Sequence, residues 1–331
     1  MRSRVNPGQW LAVAAALLVC APSAAAPSGE ALVAALRGLA AEDARVARIG
    51  YQLTSANLAL CPVPAKTAGF IVHALDQYDQ RFRAGAEAAF GLDNHVAVLA
   101  IVPGSPAERA GLAVGDRLLA VNAQPMPLAS LSSAPGSYAT VQAALDMIQK
   151  AIDRGDADFD MVRDGARRSI AIHPTAGCAV RVQLVTSPGL NAFADDRYAT
   201  ISTAMARYAR DDAELAFVIA HELAHGYLRH QALLARSSGS GGLFGRRRPP
   251  TGLVRETERR ADQVAVYMLA RAGFDIAGIP EFLRRLADDQ GVMLNIAGNH
   301  PSSRERIAAA DATIAEVKRK RAAGEPLIPP S

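Results

Sequence analysis

Apolar positions recur at helical spacing from Gly29 to Leu60, with Leu32, Leu36, Leu39, Val46, Ile49 and Leu53 in an Ala-rich stretch that holds no proline. Pro62 and Pro64 end this helix. Gly69-Phe-Ile-Val-His73 reads as a strand, and Ala74 to Phe90 as a mixed, partly helical stretch. From His95 the pattern changes to short apolar runs divided by turn residues. These are a strand from His95 to Val102, the turn Pro103-Gly-Ser-Pro106, a short helix from Ala107 to Leu112, the turn Gly115-Asp116, and a strand from Arg117 to Asn122. Val141 to Ile152 returns to amphipathic helical spacing. Phe159 to Arg163 and Arg168 to Ile172 then alternate as a hairpin around Asp164-Gly165. Two further helices are predicted: one capped by Asp211 or Asp212 and carrying Leu215, Val218, Ile219 and Leu223, the other opening at Glu256 and running through Val264, Val266, Tyr267 and Leu269.

The composition is that of a folded globular chain: 331 residues, 50% hydrophobic and 21% charged. Its 36 basic residues nearly balance 32 acidic ones, and the surplus is local, in Arg2 and Arg4 and in Arg246, Arg247 and Arg248, so no nucleic-acid partner is expected. Arg2 and Arg4 precede an apolar run from Trp10 to Ala21, followed by the small residues Ser23, Ala24 and Ala25. This is the pattern of a cleaved export signal over residues 1–25, and it predicts a periplasmic or cell-envelope protein. Pro22 breaks the run short of the roughly 20 residues that span a bilayer. Lipid attachment at Cys20 is less favoured, because Val19 stands where a small residue is expected. Cleavage leaves Cys61 and Cys178, an even pair expected to form one disulfide in an exported protein, with two buried thiols as the alternative. Ser237 to Pro250 is a low-complexity loop expected to be mobile and solvated, with a peripheral membrane contact through its three arginines beside Leu243 and Phe244 as the alternative.

The chemistry lies in His221-Glu-Leu-Ala-His225. Four residues turn a helix by about 400°, so both imidazoles leave one face a turn apart, as two ligands of a single ion require. Glu222 lies about 100° further round, placed to act on a water beside that ion. A zinc site of this kind needs a third protein ligand. Glu258 and Asp262 share one face of the later helix, so that one can ligate while the other orients an imidazole; Glu256 competes for the ligand role, and spacing alone does not decide. His230 lies five residues beyond His225 and is expected to point away; His73, His95 and His173 read as structural or exposed.

Val98 to Asn122 resembles a PDZ domain of the kind attached to bacterial proteases. The resemblance implies capture of an extended C-terminal peptide as an added strand, with Phe90-Gly91-Leu92 and Gly69-Phe70-Ile71 as competing carboxylate loops. The second resemblance rests on His221-Glu-Leu-Ala-His225, on Glu258-Arg-Arg-Ala-Asp262 after it, and on the His300-Pro-Ser-Ser-Arg-Glu-Arg-Ile307 segment. Together these are similar to the zinc metallopeptidases of the HtpX-like and CAAX prenyl protease family. That resemblance implies one Zn2+ per chain held by His221, His225 and Glu258, Glu222 as general base, and Asp262 behind a ligand. It further implies a substrate edge strand at Asn191, Ala192 and Phe193, and His300 and Arg306 near the cleft, touching substrate or the developing oxyanion.

The resulting expectation is an α+β protein: a mainly helical zincin-type peptidase domain with a small edge sheet, plus a β-rich PDZ-like domain. Its layout is a signal peptide (1–25), an N-terminal helical segment (26–65), the PDZ-like domain (66–174) and the peptidase (175–331). The expected activity is zinc-dependent hydrolysis of unfolded or extended polypeptides in envelope quality control, with the PDZ-like module recruiting substrate or regulating. The alternative is a non-catalytic peptide-binding or chaperone-like protein.

Overall fold

The computed structural model describes residues 29–195, 197–237, 249–290 and 303–330. The expected export signal, residues 238–248 of the low-complexity loop and His300 lie outside the described residues. In chain order the elements are α1 (Gly29–Ala56), β1 (Pro64–Thr67), β2 (Phe70–His73), α2 (Gln80–Phe90), β3 (Val96–Ile101), α3 (Pro106–Arg109), β4 (Arg117–Val121), β5 (Gln124–Pro125), α4 (Ala139–Arg154), β6 (Ala157–Arg163) and β7 (Ala166–Ile172). There follow β8 (Thr175–Cys178), β9 (Arg181–Val185), β10 (Ala192–Ala194), β11 (Tyr198–Ser202), α5 (Thr203–Tyr208), α6 (Asp212–Tyr227), α7 (His230–Ser237), α8 (Thr251–Arg271), α9 (Ile279–Gln290) and α10 (Ser303–Ala322). The fold is α+β. Among the described residues no helix is long and apolar enough to cross a membrane.

Two cores form, because the chain pairs its strands into separate sheets. The first sheet has the order β2-β3-β4-β6-β7, antiparallel throughout, with β5 paired to β4. Its buried face, including Val96, Val98, Leu118, Phe159 and Met161, packs on Val141, Ala144 and Ile148 of α4. The buried Asp116 carboxylate fixes the turn before β4, accepting from Ala113 N at 2.8 Å and from Arg163 Nη2 at 2.6 Å. The second core gathers α6, α8, α9 and α10 with the sheet β10-β11-β9, in which β11 runs parallel to β9 and antiparallel to β10.

Helix α1 joins the two. Its C-terminal half sends Val46, Ile49 and Leu53 into this second core, while Leu36 packs beside Leu75, Ala86 and Leu92. Two glycines permit this: a Cβ on Gly50 would lie 2.7 Å from Val182 Cβ of β9, and one on Gly85 of α2 would lie 2.5 Å from Leu32 Cδ2. Between the units, β1 and β8 form a separate antiparallel ladder, Pro64 opposite Cys178. Cys61 and Cys178 are joined at 2.03 Å, so the chain from 62 to 177 is closed at its base by a disulfide and a ladder.

Asp43, on α1, has its carboxyl raised to about 7, chiefly by burial and then by the charge of Glu42. The folded state therefore keeps a proton that the unfolded chain gives up near pH 4. The group is neutral in stability below the unfolded pKa and increasingly unfavourable as pH rises toward 7. We expect Asp43→Asn to stabilise the protein by roughly 2–4 kcal/mol at pH 8 and hardly at all at pH 4, read from urea unfolding at the two pH values.

Candidate metal centre

Helix α6 begins where the Asp211 carboxylate accepts Glu214 N at 2.9 Å, and its long apolar run, Leu215 to Ala220, is buried. Buried alanines on both helices (Ala220 and Ala224 on α6, Ala261 and Ala265 on α8) leave little bulk where α6 packs on α8. This brings the polar residues of the two helices together inside the core. His221 Nε2 lies 3.1 Å from His225 Nε2 and 3.4 Å from Glu258 Oε2, and His225 Nε2 lies 3.5 Å from Glu258 Oε1. Among the described residues these three form the one group of His, Cys, Asp and Glu donors close enough to share an ion.

The donors suit a tetrahedral cation. Bonds of about 2.0–2.1 Å place tetrahedral ligand atoms about 3.3–3.4 Å apart, and the observed separations bracket that edge. Charge agrees as well. Glu222, Glu258 and Asp262 are all buried, against the single guanidinium of Arg306, so a dication would bring the formal charge of the cluster close to zero.

Outer contacts orient the imidazoles. His221 Nδ1 lies 2.9 Å from Asp262 Oδ1, and Arg306 donates to both Asp262 oxygens at 2.7 Å. Burial alone would raise the Asp262 carboxyl; Arg306 and His221 outweigh it and hold it at about 2. For His221, burial disfavours the charged ring, but Asp262 and Glu258 prevail and raise it well above its ordinary value. His225 is lowered, by burial first and by the neighbouring His221 second. Glu222, 9% exposed, is near enough for its charge to bear on both His221 and Arg306.

Several expectations change here. Glu256 is not in the centre: its carboxylate pairs with Arg259 Nε at 2.9 Å on an exposed face of α8. Arg306 is engaged by Asp262, its Nε and Nη2 donating to the two carboxylate oxygens, with the side chain 15% exposed. His300 lies outside the described residues. His230 does not point away but has its Nδ1 3.1 Å from His225 Nδ1. The reason is that α6 stops at Tyr227, and Arg229 takes a φ of +52°, so the helical rotation that separates His225 from a residue five positions on no longer applies. Phe90-Gly91-Leu92 is a helix end: Gly91, at φ +64°, donates to Glu87 O as the C-cap of α2. Gly69 instead leads directly into β2, the outermost strand of its sheet.

The Asn191–Phe193 segment forms the outer strand of the second sheet. β10 spans Ala192–Ala194, Asn191 exchanges hydrogen bonds with Ser202 at its start, and Phe193 is 49% exposed. The strand packs beside α6. The starts of β9 and β11 meet α4, where Asp146 accepts from Arg181 at 3.2 Å and from Arg197 at 2.9 Å, and Tyr198 donates to Gln142 at 2.5 Å.

Residues 98–146 match the PDZ domain family and residues 160–240 match peptidase family M48. The second match contains His221, Glu222 and His225 and stops before Glu258, so the third donor rests on geometry. A beta-barrel assembly-enhancing protease of Escherichia coli (strain K12) is 28% identical over 157 residues, covering 38% of this chain and 32% of that protein. One of Yersinia pestis is 31% identical over 134 residues, covering 32% and 28%. The chain thus spans less than a third of the length of these relatives. Among solved structures, the PDZ domain of HtrA3 bound to a phage-derived ligand has 14% identity and a TM-score of 0.26, covering 34% of this chain and 88% of that one. The PDZ match lies within the unit built on the first sheet, and the M48 match runs from β6 of that sheet through α6 and α7, so the chain is similar to a PDZ domain over residues 98–146 and to peptidase family M48 over residues 160–240.

Proposed function

We propose that this protein is a zinc-dependent metalloendopeptidase acting on unfolded or extended polypeptides in the cell envelope, its PDZ domain recruiting substrates by exposed C-terminal segments. The observation that carries the reading is the convergence of His221, His225 and Glu258 at 3.1–3.5 Å with the Glu222 carboxylate beside them. Held by His221, His225 and Glu258, zinc would lower the pKa of the attacking water and polarise the scissile carbonyl. Glu222 takes the proton from the attacking water and delivers it to the leaving amine. Asp262, kept ionised by Arg306, holds His221 with Nδ1 protonated and Nε2 turned inward. The substrate backbone adds as a strand along the outer edge of β10, with Phe193 against its side chains, and a recruited C-terminus adds along β2 beside α4, its carboxylate at Gly69-Phe70-Ile71. Relatives named as beta-barrel assembly-enhancing proteases support an envelope role.

The test pairs metal analysis with proteolysis. Purified protein should hold one zinc per chain and cleave unfolded casein; His221→Ala should hold none and cleave nothing. A wild-type protein without zinc that binds C-terminal peptides would replace this reading with that of a peptide-holding protein.

A further inference from the structure

We infer that His230 is a positioning residue for the metal centre, its imidazole accepting the Nδ1 proton of His225 and thereby fixing that ligand's tautomer and ring orientation. The inference rests on the metal-centre reading above. His225 turns Nε2 toward His221 and Glu258, and a ligating nitrogen must present a lone pair. A neutral imidazole with a free Nε2 carries its proton on Nδ1, and that atom points at His230 Nδ1, 3.1 Å away. His230 is then the acceptor, with its own proton on Nε2. The two rings stand nearly perpendicular, at 82° with centroids 4.9 Å apart, which lets one ring plane's N–H aim at the other ring's lone pair.

The placement is built into the backbone. Leu228 N donates to Ala224 O and Arg229 N to Gly226 O, closing α6; the positive φ of Arg229 turns the chain; and His230 opens α7 at 4% exposure. The next side chain, Gln231, donates to Ala194 O at the end of β10. The turn is thereby tied at one end to a metal ligand and at the other to the proposed substrate strand. His221 and His225 therefore differ in their support. Behind His221 stands a carboxylate that Arg306 keeps charged; behind His225 stands a neutral imidazole. Without His230, nothing at that position selects the Nδ1–H tautomer of His225, and the form protonated on Nε2 cannot ligate.

Removing such an outer partner lowers metal affinity by about 10–100-fold. We expect that loss for His230→Phe, measured as zinc dissociation constants by competition with a chromophoric chelator. His230→Asn, whose amide oxygen can accept the same proton, should recover most of it. His230→Leu, a smaller replacement, should match Phe and stands in for it if the larger ring unfolds the turn, as judged by circular dichroism of the metal-free protein. In all three, kcat at saturating zinc should recover further than the affinity does. Equal zinc affinity in wild type and in the Phe or Leu variant overturns the inference alone, as does an Asn variant no better than Leu. Wild-type protein that takes up no zinc overturns the metal-centre reading and this inference with it.

Discussion

Replacing Glu222 by Gln should leave the fold and the zinc content of the protein intact and lower its rate of casein cleavage by about 10²–10⁴-fold. The two side chains have the same shape, and Glu222 is 9% exposed on a helix whose packing is set by its apolar neighbours. What changes is chemistry: an amide takes up no proton at neutral pH and returns none to a leaving amine. The substitution also removes one of three carboxylates that oppose a single guanidinium, so a modest fall in zinc affinity should accompany the loss of rate. Measuring cleavage at saturating zinc separates the two effects. His221→Ala is the necessary contrast, because its inactivity comes with loss of the metal. A Gln variant that holds zinc and cleaves at the wild-type rate would remove Glu222 from the reaction.

The sequence made visible those features that depend on local periodicity. The 3.6-residue repeat that places His221 and His225 on one face holds because α6 is regular across both. The strands β3, β4, β6 and β7 follow from short alternating runs between glycine and proline turns. Periodicity fails where an element ends. His230 would point away from His225 only if the helical rotation continued past Tyr227, and Gly226-Tyr-Leu-Arg229 gives only a weak stop signal, with the positive φ falling on an arginine. Choices between equivalent spacings were also hidden: Glu256 and Glu258 both sit near the start of α8, and only the packing of that helix on α6 turns one inward. Likewise Arg306 reaches Asp262 from α10 across 44 residues, a contact no local pattern encodes. Pro64, read as a stop, is the first residue of β1, a position where a strand tolerates a missing N–H. The expected pairing of Cys61 with Cys178 came from counting alone, whereas the ladder between β1 and β8 that accompanies it needed the structure.

Removing that bridge should destabilise the protein by about 4–5 kcal/mol, the chain-entropy value for freeing a closed loop of this length in the unfolded state. The sequence separation is 117 residues, and the loop contains the whole first sheet with α2, α3 and α4. The full value is reached only if that loop is disordered in the unfolded state, which requires both cores to melt together. The contacts between them favour a single transition. Helix α1 places Val46, Ile49 and Leu53 in the second core and Leu36 against a smaller cluster of Leu75, Ala86, Leu92 and Ala97 that includes a residue of β3, and Asp146 ties α4 to Arg181 and Arg197. The experiment is denaturant unfolding of wild type and Cys61→Ala/Cys178→Ala, followed by circular dichroism because the one tryptophan, Trp10, lies in the expected signal. Reductant should bring wild type to the variant's midpoint and leave the variant unmoved. A loss below about 1 kcal/mol would mean that the unit built on the first sheet stays folded while the other unit melts, the β1–β8 ladder keeping residues 62 and 177 close so that the disulfide has little entropy left to remove.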